Sequence, residues 1–158
     1  MTDYRIENVK ENFQMTSLGV ILGDFNDWEG NGKKIAARKA EITSNGALTE
    51  LTSKADDTQD YVVNYVFDGK PYRGFAVMGN VDMPDTDKLD FLAGDYIVLT
   101  MTGNDKDTLA DQLTGKAFGG ALQEITDYKY VGPGNSTFVK EQADGTFLAE
   151  MWLRAEKA

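Results

Sequence analysis

The sequence predicts an α+β fold built from two β-α-β-β units of antiparallel strands, with helices on one side. Three observations predict it. Stretches of alternating polarity are joined by Asp-Gly pairs, the usual closure of a β-hairpin. Each half of the chain also holds a segment with helical spacing. A short stretch recurs as well: Gly46–Thr52 (GALTELT) matches Gly120–Thr126 (GALQEIT) at five of seven positions, each time ahead of a hairpin. The 158 residues are read as a single domain, 1–158, with repeat halves of about 1–82 and 88–158. Such a duplication sets the two sheets side by side, with a ligand cleft at the pseudo-two-fold junction.

The elements follow in order. Phe13 to Gly23 reads as a first strand. Asp24 to Gly32 reads as a polar loop carrying Trp28. Its oxygens imitate the opening of a calcium loop, but the twelfth position is Arg38 where a bidentate Glu is needed. Lys33 to Thr43 reads as a helix with a solvated basic face, and Ala47 to Ser53 as a further turn or two. Tyr61–Val66 and Tyr72–Val77 are strands joined through Asp68-Gly69. Met83 to Asp87 is a linker, and Phe91 to Gly103 a long strand. Asn104 or Asp105 caps a second helix with Leu109, Leu113, Ala117, Ala121 and Ile125 on one stripe. Tyr128–Val131 leads through a Gly132-Pro133-Gly134 turn to a strand at Ser136–Gln142. Asp144-Gly145 then turns the chain into its last strand.

Composition excludes whole classes of chemistry. There is no His and no Cys, which removes Ser-His-Asp and Cys-His catalysis, disulfides and the usual zinc sites. No metal and no cofactor is expected. The net charge of −10 repels phosphate backbones and anionic membranes and attracts cations. Neither direct nucleic-acid binding nor membrane association is therefore expected. No apolar run is long enough to span a bilayer, and the first residues lack the apolar core of a secretory signal, so cytoplasmic residence is the expectation.

The last strand, Thr146–Arg154, holds the candidate site. Phe147, Ala149, Met151 and Leu153 share one face and read as core. Leu148, Glu150, Trp152 and Arg154 share the other. A carboxylate between a Leu and a Trp is costly unless it is paired or protonated. Two readings follow: a site for a lipophilic cation, or a solvated sheet face on which Glu150 pairs with Arg154 or a Lys. The repeat sets Ala76 opposite Glu150, so only one half carries the carboxylate. Trp28, Tyr65, Tyr72, Phe118, Tyr128 and Tyr130 are the aromatics expected near the cleft, with Trp28 as a candidate lid.

Leu92–Val98 (LAGDYIV) is similar to a "PAG-x-Y-x-V" strand, and Ala149–Leu153 (AEMWL) to an "E-[IVL]-[WY]-[IVL]" ending. On these motifs, with Tyr72–Val77, the Leu-rich second helix and Asp127-Tyr128, the chain resembles the gyrase-inhibitor-like (GyrI-like) effector-binding domains. These also form the ligand-sensing part of AraC-type and MerR-type multidrug regulators. Leu92 stands where the family has Pro. The resemblance implies an SHS2-type duplicated fold, a cleft lined by aromatics, and a glutamate on the last strand that meets lipophilic cations; that glutamate is Glu150, with Trp152 beside it. It implies a stand-alone sensing or sequestering domain whose partners are lipophilic or cationic small molecules.

Two alternatives stay open beside binding. Some stand-alone members of the family are thought to hydrolyse cyclopropane-containing DNA-alkylating toxins. Here Glu150 would serve as the catalytic carboxylate, with Tyr128, Tyr130 or Tyr72 polarising the substrate. The other is a protein partner, gyrase or a second copy of the chain in a homodimer.

Overall fold

Arg5–Val9, Phe13–Ile21, Asp60–Phe67, Lys70–Met78, Asp87–Phe91, Gly94–Gly103, Tyr128–Glu141 and Phe147–Lys157 form strands β1 to β8. Trp28–Ser44, Ala47–Ser53 and Lys106–Lys116 form helices α1 to α3. A π-helical turn at Ala117–Ala121 and a last helical turn at Leu122–Glu124 extend α3. The computed structural model describes residues 3–24, 26–55 and 59–158. The predicted α+β class and the antiparallel pairing are both present.

The chain divides into two compact units. A middle unit comprises Phe13–Phe91, and a terminal unit joins Met1–Asn12 to Leu92–Ala158. The middle unit orders its strands β3-β4-β2-β5, and the terminal unit β7-β8-β6-β1. In each, a hairpin follows the helical segment, and the strand before the helices pairs with the second hairpin strand. The fourth strand of each unit is an edge.

In the middle unit, α1 begins where Asp27 caps it, its Oδ1 accepting the Gly30 N–H at 3.0 Å. That cap corrects the expected loop at Asp24–Gly32: Trp28 is already helical, and so are Glu29 and Asn31 of the calcium-like pattern, while Asp27 is spent on the cap. Residue 25 is outside the described residues. Arg38 donates to the Gly19 carbonyl at 3.0 Å and pairs with Glu41, so it does not belong to a purely solvated face. Gly46 leaves α1 with φ +80°. Ile42 and Leu51 then pack on Leu18, Phe75 and Val77 as one core. The β3–β4 turn has positive φ at Asp68 (49°) and Gly69 (77°), as a tight two-residue hairpin turn requires.

In the terminal unit, Asp105 caps α3 by accepting the Asp107 N–H at 3.0 Å. Leu109, Leu113, Ala117, Ala121 and Ile125 pack on Ile97, Leu99, Ala149, Met151 and Leu153, the stripe read from the spacing. The predicted Phe91–Gly103 strand is two strands. Phe91 ends β5 and Gly94, with φ +136°, opens β6. The predicted turn at Gly132-Pro133-Gly134 lies inside one strand, β7, where the register on β8 shifts between Tyr130 and Asn135. Both edge strands, β1 and β5, lie outside the segments predicted as strands, apart from Phe91 itself.

Candidate ligand-binding site

Strand β8 alternates as expected. Ala149, Met151, Leu153 and Ala155 are buried against the helices. Glu150, Trp152 and Arg154 point to the other face, opposite Thr100, Val98 and Tyr96 of β6. Glu150 is only 8% exposed, so it does not sit on a solvated face. The indole N–H of Trp152 donates to Glu150 Oε1 at 2.8 Å. Arg5 of β1 donates to the same oxygen through Nη2 at 2.9 Å. Both hydrogen bonds to the carboxylate end on Oε1; among the described residues none is recorded to Oε2.

The partner of Glu150 is therefore Arg5, not Arg154. Arg154 is taken by backbone, donating to the Ala93 carbonyl at 3.3 Å and to the Gly132 carbonyl at 3.4 Å. The Arg5 guanidinium carbon lies 6.0 Å from the Trp152 ring centroid, within cation–π range. Burial works against the charge on Arg5, but Glu7 and Glu150 outweigh it and hold its pKa above the ordinary value. Tyr96 is buried behind the indole, its ring 6.0 Å from Trp152. Its hydroxyl donates to the Leu92 carbonyl at 2.7 Å, and burial pushes its pKa up to about 12.

Of the other candidates, the two tyrosines of β7 face away from Glu150 within the terminal unit. Tyr128 and Tyr130 pack on the helix-side core of the terminal unit. Their partners Lys157 and Ala155 are odd-numbered positions of β8, so both tyrosines are on the opposite face of that sheet from Glu150. Phe118, in the π turn, is 46% exposed and meets Tyr130 edge-on at 5.9 Å. Trp28, on the first turn of α1, is 84% exposed. Tyr65 and Tyr72 belong to the aromatic face of the middle unit with Phe13, Phe67 and Phe91. Tyr72 is buried, donates to Asp87 Oδ2 at 2.8 Å and shares a hydrogen bond with Ser17 Oγ. Burial raises its pKa. The Tyr65 hydroxyl donates to the Asp90 carbonyl at 2.9 Å.

Two members of the cluster, Arg5 and Tyr96, escaped the sequence reading as site residues. Tyr96 had a signal, because it sits on the same strand motif that carries the family resemblance. Arg5 had only the i, i+2 pairing with Glu7 on a short segment without apolar alternation.

No protein-family model matches the chain, and no curated protein matches it. Solved structures do. SAV2435 bound to tetraphenylphosphonium superposes with a TM-score of 0.75 at 13% identity, covering 98% of this chain and 94% of that one. A protein from Staphylococcus aureus MU50 gives 0.74 at 13% identity, with 99% of each chain covered. An integron cassette protein from the mobile metagenome of Vibrio cholerae gives 0.65 at 15%, covering 97% and 95%. The fold is consistent with a GyrI-like domain. At these identities the likeness concerns the fold.

Among the described residues no three acidic side chains gather as a metal site. No described helix is long and apolar enough to cross a membrane. A recess of about 310 Å³ lies on the helix side of the middle unit, at Arg38, Ile42, Glu50 and Met83. None of its lining residues belongs to the Glu150 cluster, and its mixed, open lining is a poor match for a greasy ligand.

Proposed function

We propose that this protein binds lipophilic, often cationic aromatic small molecules, with Glu150 as the charge partner and Trp152 as the flat wall. The observation that carries this reading is the state of Glu150. It is a nearly buried carboxylate whose Oε1 is saturated by internal donors and whose Oε2 takes none among the described residues. An oxygen that still reaches solvent on an otherwise buried residue, beside an indole, gains most from a partner that brings its own charge and an apolar body. The complex of SAV2435 with tetraphenylphosphonium, a protein of this fold, supports the same ligand chemistry. Drug or toxin sensing, sequestration or resistance are the roles that fit such a binder. Hydrolysis by Glu150 with Tyr128 finds no support in the register of β7, which turns Tyr128 toward the helices.

The test is a tryptophan-fluorescence titration in a Trp28→Phe background, which leaves Trp152 as the reporter. Tetraphenylphosphonium and neutral triphenylphosphine oxide are the probes. Saturable quenching that favours the cation, with that preference lost in Glu150→Gln, is the expected result. An unchanged preference in Glu150→Gln overturns the role of the carboxylate. The absence of saturable quenching by either probe overturns the binding function.

A further inference from the structure

Arg5 holds the carboxylate oxygen that is also bonded to the indole, so a ligand cation that is to meet both Glu150 and the Trp152 ring takes its place. Its strand, β1, is the edge of the terminal unit and pairs with β6 through Arg5↔Val98 and Glu7↔Tyr96. That register puts Arg5 and Glu7 on the face that carries Tyr96, Trp152 and Glu150. The guanidinium satisfies both halves of a cation site at once, with an N–H on Glu150 Oε1 at 2.9 Å and a cationic plane 6.0 Å from the indole centroid. A ligand cation that seeks the same carboxylate and the same ring meets Arg5 first.

The side chain also has somewhere to go. Arg5 Nε donates to Glu7 Oε1 at 2.8 Å, and both side chains are nearly half exposed, at 46% and 44%. Glu150, by contrast, has a side chain 10% exposed. Arg5 thus bridges an inner and an outer carboxylate. If it leaves the inner one it keeps the outer one and gains water, so the exchange leaves no charge unpaired once the ligand's cation stands on Glu150.

Building on the binding function above, we propose that Arg5 is the specificity-determining residue of the site: an internal cation that a ligand's positive group must displace from Glu150 and Trp152 onto Glu7. The ligand class follows from what is displaced. A planar aromatic amidinium or guanidinium reproduces both the N–H donor and the charged plane of Arg5. A neutral molecule of the same shape offers nothing to the carboxylate and leaves Arg5 in place. The apparent affinity for a cation is reduced by the fraction of molecules in which Arg5 covers Glu150.

The experiment is calorimetric titration with a biphenyl amidinium and its neutral isostere, biphenyl carboxamide. It uses wild type, Arg5→Ala, Glu7→Gln and the charge-matched control Lys10→Ala. Displacement predicts that Arg5→Ala binds the amidinium on the order of tenfold more tightly, with the carboxamide unchanged. Lys10→Ala should stay within about twofold of wild type, since an exposed charge outside the pair acts only through the screened field. Glu7→Gln, which removes the outer negative charge while keeping an acceptor of the same shape and leaves the inner pair intact, should weaken amidinium binding severalfold. It also keeps the test decisive if Arg5→Ala fails to fold. Equal amidinium affinity in wild type, Arg5→Ala and Glu7→Gln overturns the displacement and leaves the binding function standing. So does a gain in Lys10→Ala as large as that in Arg5→Ala. No saturable binding of either compound, or of tetraphenylphosphonium, by any of these proteins overturns both.

Discussion

Trp152 and Glu150 lie two residues apart on β8, and the indole N–H of the first donates to Oε1 of the second at 2.8 Å. Neighbours at this spacing share a face of a strand. The ring therefore has two uses: it closes a hydrogen bond on a buried carboxylate and presents a π-face beside it. Trp152→Phe separates them, because it keeps an aromatic ring and removes the donor. A hydrogen bond to a charged group contributes about 1.5–3 kcal/mol. Urea unfolding followed by circular dichroism should show a loss of about 1–3 kcal/mol for this variant. A loss below about 0.5 kcal/mol would mean that Arg5 alone satisfies the carboxylate.

Tyr72 lies across two glycines. A Cβ at Gly19 would run into the Tyr72 ring and the Arg73 carbonyl, and one at Gly74 into Ser17 Oγ and the Tyr72 ring. Gly74→Ala should therefore destabilise by about 1–3 kcal/mol through overpacking. Gly115→Ala is the opposite case. Gly115 sits in α3, and an added Cβ meets nothing within 4 Å. It should stabilise by about 0.5–1 kcal/mol through helix propensity. Thermal melts of the two variants moving in the same direction would refute this contrast.

The Tyr72 hydroxyl joins Ser17, which is fully buried, to Asp87. Tyr72→Phe leaves the Ser17 hydroxyl and one Asp87 oxygen without this partner. A buried polar group left unsatisfied costs about 1–3 kcal/mol. The double variant Tyr72→Phe/Ser17→Ala should recover part of that loss, since the orphaned hydroxyl is gone. Strict additivity of the two single losses in urea unfolding would show that the hydroxyls are uncoupled.

Signals that lie within a few residues were legible in the sequence, and those that span it were not. Strand β8, the β3–β4 hairpin and the stripe of α3 were legible because a period or a turn pair lies within a few residues. Glu150 and Trp152 were placed on one face for that reason. The partner of Glu150 was not legible, because Arg5 is 145 positions away in sequence and reaches it through an edge strand. Strands β1 (RIENV) and β5 (DKLDF) are short and charged. Edge strands commonly are, since charges there discourage pairing with other chains, and that removes the alternation by which a strand is recognised. Helix α1 began earlier than its apolar stripe because Asp27 caps it ahead of Gly30 and Gly32, which look like loop residues in isolation.

Tyr96 predicts how stability depends on pH at the alkaline end. It is 1% exposed, and burial pushes its pKa up to about 12, whereas an unfolded tyrosine ionises near ~10. Below about pH 10 the hydroxyl is protonated in both states and its contribution is fully present. Between ~10 and about 12 the unfolded chain releases the proton while the folded chain keeps it. The folded state then binds more protons, so stability falls as pH rises. The difference between the two values corresponds to on the order of 2–3 kcal/mol. Tyr72, also buried with a raised pKa, acts in the same direction. Urea midpoints measured from pH ~9 to ~12 should fall more steeply for wild type than for Tyr96→Phe, which has no proton to lose. Parallel pH profiles for the two proteins would show that Tyr96 ionises in the folded chain as easily as in the unfolded one, and that its hydrogen bond to the Leu92 carbonyl does not hold it neutral.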